Sequence, residues 1–229
     1  MRLKQSVNRL LIGGVAPLGP RAVPSGIRKS PVASAELGLT GFIGDKQGDP
    51  KRHGGIEKAV HQYCLDHYAF WRKELGDLDV LGQPGAFGEN LSVAGMNEDD
   101  ICVGDQWALG DTVIQVSQAR QPCWKLNTRF GVPDMARRLQ HSGKTGWYYR
   151  VLEPGLVREN DQLHLLHRPN PLWPISRLIT VLYTKTRDRR ALEAMSVLEG
   201  LSDGWQRLAA RRLETGQTED WSSRLGERK

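Results

Sequence analysis

Cysteine is scarce in this chain. Its 229 residues include three, Cys64, Cys102 and Cys123. Three cannot all pair and none stands in a CxxC, which argues against a disulfide framework and against a structural zinc site, and points to a reducing, cytoplasmic compartment. Long apolar runs are missing too. The longest in the N-terminal region, LLIGGVAPLG at 10–19, is too short and too rich in Gly and Pro to span a bilayer, and no small-residue cleavage site follows it. It reads as an early strand and turn. There is no GxxxxGK[ST] and no GxGxxG opening a helix, so nucleotide hydrolysis and dinucleotide binding have no support. Flavin, haem and iron–sulfur signatures are absent, as are internal repeats and low-complexity tracts.

What is present is ordinary soluble composition with a mild basic balance: 32 Lys and Arg against 26 Asp and Glu, net +6. That is compatible with an anionic small molecule, nucleic acid or an acidic protein, and selects none of them. The excess is uneven. Residues 168–229 carry twelve Lys/Arg and eight Asp/Glu, net +4, leaving 20 against 18 in the first 167.

Three patterns divide the chain. Residues 1–50 are dense in Gly and Pro with short β-branched pieces, predicting short strands and tight turns. In 57–75, Val60, Cys64, Tyr68, Trp71 and Leu75 fall at steps of three and four, predicting one amphipathic helix with Cys64 in its core stripe. Residues 86–121 return to β punctuation, with Gly-Asp turns at 104–105 and 110–111 and Cys102 packing in a short strand start. After HRPNPLWP (167–174) three helical segments follow, with Ser176, Asp188 and Ser202 as expected N-caps and Gly200 and Gly216 as expected stops. Three short helices bury little alone, so they are expected to form a small bundle docked on the first domain. The expected boundary separates residues 1–170 from 171–229.

Two stretches suit an anionic or heterocyclic ligand. In GDKQGDPKRHGGIEKAV (44–60), Lys46, Lys51, Arg52, His53 and Lys58 crowd around Gly54-Gly55, where a backbone without side chains lets an oxyanion approach and flanking cations add charge-assisted bonds. A solvated basic turn capping a helix is the competing reading. In PGAFGENLSV (84–93), the Asn90 amide offers a paired donor and acceptor to a heterocycle edge, although such a stretch is also an ordinary strand-entry loop.

The third stretch is QARQPCWK (118–125). Pro122 stiffens the backbone before Cys123, while Arg120 and Lys125 would lower a thiol pKa. Three readings stand open for Cys123: a small core residue, an activated nucleophile, or a thiolate ligand to a metal whose other ligands come from a cofactor.

Taken in order, SGIRKSPV (25–32), GDKQ…HGGIEKAV (44–60), FGENLSV.G (87–95), VGD (103–105) and QARQPCWK resemble the MOSC-domain family, relatives of the C-terminal domain of molybdenum cofactor sulfurases. Residues 176–225 resemble the three-helix extension of its YiiM-type branch. The resemblance implies a mainly β, α+β fold: a β-barrel-centred domain with peripheral helices plus a C-terminal three-helix bundle. It implies molybdenum cofactor, a pterin dithiolene with a terminal phosphate, with Cys123 as the metal ligand and catalytic centre. It further implies that Lys29 meets the phosphate, that His53, Gly54, Gly55, Lys58 and Asn90 surround the cofactor, and that Arg120 and Lys125 flank the metal. No pyridoxal-phosphate desulfurase domain precedes the matched region and no membrane anchor is seen. Those departures favour a stand-alone reductase of N-hydroxylated compounds, such as hydroxylaminopurines or amidoximes, fed by a separate flavoprotein or electron carrier. A carrier of cofactor or sulfur with no turnover of its own is the alternative, and a nucleic-acid-binding role for the basic tail lacks a convincing recognition helix.

Overall fold

A computed structural model describes residues 4–226, apart from the side chains of Lys51 and Arg52. Those two members of the expected basic turn therefore lie outside the described groups. The Gly/Pro-dense start folds as anticipated into short strands: β1 (Lys4–Ser6), β2 (Arg9–Ile12), β3 (Ala16–Leu18), β4 (Val23–Ser25), β5 (Ser30–Pro31), β6 (Ser34–Gly38) and β7 (Gly41–Phe42). A single turn, α1 (Pro50–His53), leads to β8 (Val60–Cys64) and α2 (His67–Leu75). Next come β9 (Leu91–Val93), β10 (Gln106–Leu109), β11 (Thr112–Ala119), α3 (Lys125–Phe130) and α4 (Met135–Ser142). The chain then runs through β12 (Trp147–Glu153), β13 (Gly155–Arg158), β14 (Gln162–His167), α5 (Ile175–Tyr183), α6 (Arg189–Ser196), α7 (Asp203–Thr215) and α8 (Ser222–Leu225).

The predicted helix over 57–75 is corrected here. Residues 60–64 form β8, antiparallel to β12 and parallel to β9, and all five are buried. A strand buried on both faces shows no polar alternation, so its apolar positions fit a helical stripe as well as a strand. Only Tyr68, Trp71 and Leu75 of that stripe lie on a helix, α2. Cys64 is nonetheless a core residue, 1% exposed.

Nine strands form one sheet in the order β1-β14-β10-β11-β12-β8-β9-β2-β5. β1 lies at one edge and β2 beside the other, yet only Val7 and Asn8 separate them. The sheet must therefore roll until its edges meet. Val7 donates its amide to Asp161 O on the β14 side, and Asn8 donates to Ser92 O on the β9 side. Among the described residues no ladder joins the edges, so the expected β-barrel core is a rolled sheet whose last step is chain. The turn expected at 110–111 is the β10–β11 hairpin, with Leu109 opposite Thr112.

The helices after residue 170 pack onto this sheet. One apolar cluster runs from Leu10, Trp107 and Val116 through Leu178, Leu182, Met195 and Trp205, so the bundle and the sheet share a core. At about 1.5–3 kcal/mol for each fully buried large side chain, this joint burial supplies what three short helices lack. The expected caps are mixed. Asp188 accepts from the Ala191 amide and Ser202 precedes α7, but α5 starts at Ile175 behind Pro174, leaving Ser176 inside the first turn. Gly216 ends α7 in the left-handed region. Gly200 ends no helix, because α6 stops at Ser196. At φ +76° it lies against Gly104, where a Cβ would sit 2.6 Å from the Gly104 Cα. Its role is close approach between bundle and sheet.

Candidate active site

The longest strand of the sheet, β11, ends at Ala119, and the chain leaves it through Arg120, Gln121, Pro122 and Cys123. Pro122 has no N–H to extend a ladder, so the segment departs as a loop before α3. That departure opens a cleft against the 25–29 and 45–48 loops, β8 and the turn at 87–90. Lys29, His53, Lys58, Asn90, Arg120, Cys123 and Lys125 all line it. Thus the fold brings together residues spread over almost a hundred positions.

Gly54 and Gly55 do not line the cleft. The Gly54 amide closes α1 by donating to Pro50 O, 3.0 Å, and Gly55 O accepts from the Lys58 amide at 3.0 Å. Gly55, at φ +97°, makes a bend that L side chains disfavour. The pair turns the chain so that His53 and Lys58, on either side of it, reach the same cleft.

Charge in the cleft is largely spoken for by burial. The Lys29 side chain is 6% exposed and its ammonium pairs with Asp45, itself 3% exposed. Asp45 also accepts from the Gly13 amide at 2.8 Å and the Asn90 Nδ2 at 3.1 Å. Asn90 donates further to Leu11 O and accepts from the His61 amide, both at 3.1 Å. Its two amide hydrogens are therefore spent tying β2 and Asp45 to the turn, and it forms wall more than reading edge. Lys125 Nζ donates to Pro24 O at 2.9 Å. Arg120 is 6% exposed; its Nη2 donates to Phe87 O at 3.3 Å, while its Nη1 is buried with no protein partner.

The pKa shifts agree with this picture. Burial, then the charges of Lys125, Lys58 and Arg120, push His53 down to about 4, so it is neutral near pH 7. Burial lowers Lys58, and it lowers Lys29 against the pull of Asp45. His61 lies well below its ordinary value through burial and then Arg120. Every one of these shifts opposes further positive charge, as burial of several basic groups together requires.

Several residues in or behind the cleft walls escaped the sequence reading. Asp45 stood in a quoted motif without a role, and His61 lay in the misassigned helix. Tyr148 gave no motif signal; burial raises its phenol pKa, so it stays protonated. Glu89, fully buried, organises the turn: it accepts from Tyr68 OH, Ser92 OH and the amides of Gly85 and Phe87. Only its position between Gly88 and Asn90 hinted at this.

The residues fit an anionic, metal-bearing cofactor. Cys123 is half-buried, unlike the enclosed Cys64 and Cys102. Among the described residues no group of three or more His, Cys, Asp and Glu could hold a metal. A metal here would take Cys123 as its sole protein thiolate and draw its other ligands from the cofactor. The unpartnered Arg120 Nη1 and the surrounding cations suit that cofactor's negative charge.

Sequence comparison agrees with the class that fold and site define. The MOSC domain family model matches residues 49–164 and the YiiM-like 3-alpha helix domain model matches 173–216. The chain belongs to the MOSC family, whose domain is associated with molybdenum cofactor binding. It is 37% identical over 208 residues to the protein YiiM of Escherichia coli (strain K12), covering 90% of this chain and 92% of that one. The crystal structure of YiiM from Escherichia coli superimposes with a TM-score of 0.79 at 32% identity, covering 93% and 98% of the two chains. A protein named Reductase from Gibberella moniliformis (strain M3125 / FGSC 7600) is 42% identical over 144 residues, which is 62% of this chain and 26% of the fungal one. No helix among the described residues is long and apolar enough to cross a membrane.

Proposed function

We propose that this chain is a molybdenum-cofactor-dependent reductase that converts N-hydroxylated compounds, hydroxylaminopurines or amidoximes, to the corresponding amines or amidines. The observation that carries the reading is the half-buried Cys123 lining one cleft with Lys29, Lys58, Lys125 and the buried Arg120, whose Nη1 has no hydrogen-bond partner. The fungal relative named as a reductase supports the redox class. When bound, the cofactor supplies the two-electron centre for N–O cleavage, in which R–NHOH, two electrons and two protons give R–NH₂ and water.

The chain's own residues hold and orient. Cys123 would ligate the metal, and Arg120 would meet negative charge beside it through Nη1. Lys58 and Lys29 would meet the terminal phosphate, Lys29 while remaining paired with Asp45. His53, neutral near pH 7, and Tyr148, a protonated phenol, offer hydrogen bonds to substrate without adding charge. Electrons would come from a separate acidic redox protein that docks on the exposed arginines of the helical tail.

Protein made in a cofactor-competent host is expected to carry molybdenum and pterin in equal amounts and to reduce a hydroxylaminopurine when given an electron donor. Cofactor binding and release without turnover on any N-hydroxylated compound would replace the reductase with a carrier.

A further inference from the structure

The chain does not stop ordering itself after α7. Residues 217–226, beyond both family-model matches, turn back and lie along the loop that bears Cys123. Trp124 donates its amide to Arg224 O at 2.8 Å, and Asn127 Nδ2 donates to Leu225 O at 3.0 Å. The Arg224 guanidinium donates from Nη1 to Pro122 O and from Nη2 to the buried Gln140 Oε1, 2.6 Å, and lies 5.6 Å from the Tyr183 ring. Upstream, Trp221 meets Tyr183 edge-on at 5.2 Å. Glu219 pairs with Arg212 at 2.7 Å, and the Arg212 side chain is 2% exposed. Asp220, Ser223 and Arg224 also wall a second chamber that shares His53, Lys58 and Cys123 with the cleft.

We propose that residues 217–226 form a strap that fixes the Cys123 loop and walls the approach to it, with Arg224 as a positioning residue. A loop leaving a strand through proline has few backbone bonds of its own. On either side of Cys123, the Pro122 carbonyl and the Trp124 amide both find their partners on Arg224. One residue therefore holds the thiol's two chain neighbours. The catalytic meaning of the strap rests on Cys123 being the metal ligand; its mechanical role does not.

The test uses the full-length, cofactor-free protein. Hydrogen exchange at the Trp124 amide and iodoacetamide labelling at Cys123 are compared between wild type, Arg224→Ala, Arg224→Lys and Trp221→Ala. Cys64 and Cys102 serve as internal references, since they are 1% and 3% exposed and burial pushes their thiols up to about 12 and about 11. Arg224→Ala and Trp221→Ala are expected to speed exchange and labelling on the order of tenfold, confined to residues 121–127. Arg224→Lys, keeping one N–H contact, should fall between. Unchanged rates would overturn the strap, and so would an equal rise at all three cysteines, which marks global loosening. Cofactor retention by Cys123→Ser is measured separately. Full retention there would remove the ligand assignment while leaving the strap result intact.

Discussion

At the scale of single residues, the three cysteines separate by environment more than by sequence neighbours. Cys64 and Cys102 are enclosed, and their thiols resist ionisation. Cys123 is reachable and stands among cations. Cys123→Ser is expected to abolish N-hydroxyl reduction with the melting temperature unchanged. Cys64→Ser should cost about 1–3 kcal/mol for burying a hydroxyl while turnover per folded molecule stays at the wild-type value; thermal melts with active-site titration check both. His53 provides a pH signature. Its folded pKa, about 4, lies below the ordinary histidine value of 6.5. The stability linked to its neutral form is thus complete above pH 6.5 and is lost progressively as pH falls from 6.5 toward 4. An NMR titration of the free protein should find it near 4, and anion binding should raise it by compensating Lys125, Lys58 and Arg120. A His53 titrating at its ordinary value in the free protein would mean that the cleft is wetter than its packing indicates.

The elements show how far the sequence carries. Turn chemistry was legible because its signals are local: Gly110-Asp111 specified a hairpin, and Asp188 and Gly216 marked helix ends. Proximity of motifs was legible only through their likeness to a family, since nothing in HGGIEK or QPCWK states that they meet. β8 was misread because burial on both faces erased its alternation. The Lys29–Asp45 pair was invisible for a related reason: it joins two loops sixteen residues apart, where no helical or strand period predicts contact. This pair changes what a Lys29 variant reports. Lys29→Met removes a cation from the anion site and also leaves the Asp45 carboxylate buried without its counter-charge. Loss of one partner from such a pair costs about 3–5 kcal/mol. Gly13 and Asn90 still donate to Asp45, which places the expected loss at the low end, about 3 kcal/mol, or on the order of 6–12 °C in melting temperature for a chain of this size. Differential scanning calorimetry of cofactor-free protein measures that cost, so that weaker cofactor retention is not credited wholly to a lost phosphate contact. An unchanged melt would show the pair to be energetically idle.

For the whole molecule, what remains to be accounted for is the excess of positive charge in the helical tail. The tail arginines do not all contribute to a surface. Arg212 is buried, donating to Val181 O and Leu182 O and pairing with Glu219; it braces the bundle, and reversing its charge would destabilise the packing of α5 and α7. Arg189 and Arg207 face Glu193 and Asp203 across single helical turns, exposed pairs that fix little energy yet mute the local field. Arg187, Arg190 and Arg211 remain exposed and are the charges proposed to dock an acidic electron donor. Steering of this kind raises the encounter rate and is screened over about 8 Å at physiological ionic strength. The double variant Arg190→Glu/Arg211→Glu leaves the shared core and the strap untouched, so its fold and its turnover with a small chemical reductant should match wild type. With an acidic protein donor its KM for that donor should rise on the order of tenfold, and its rate should depend less on salt than the wild-type rate does. Equal rates with both donors would assign these arginines to solvation alone, and the bundle would then serve the site only by packing on the sheet.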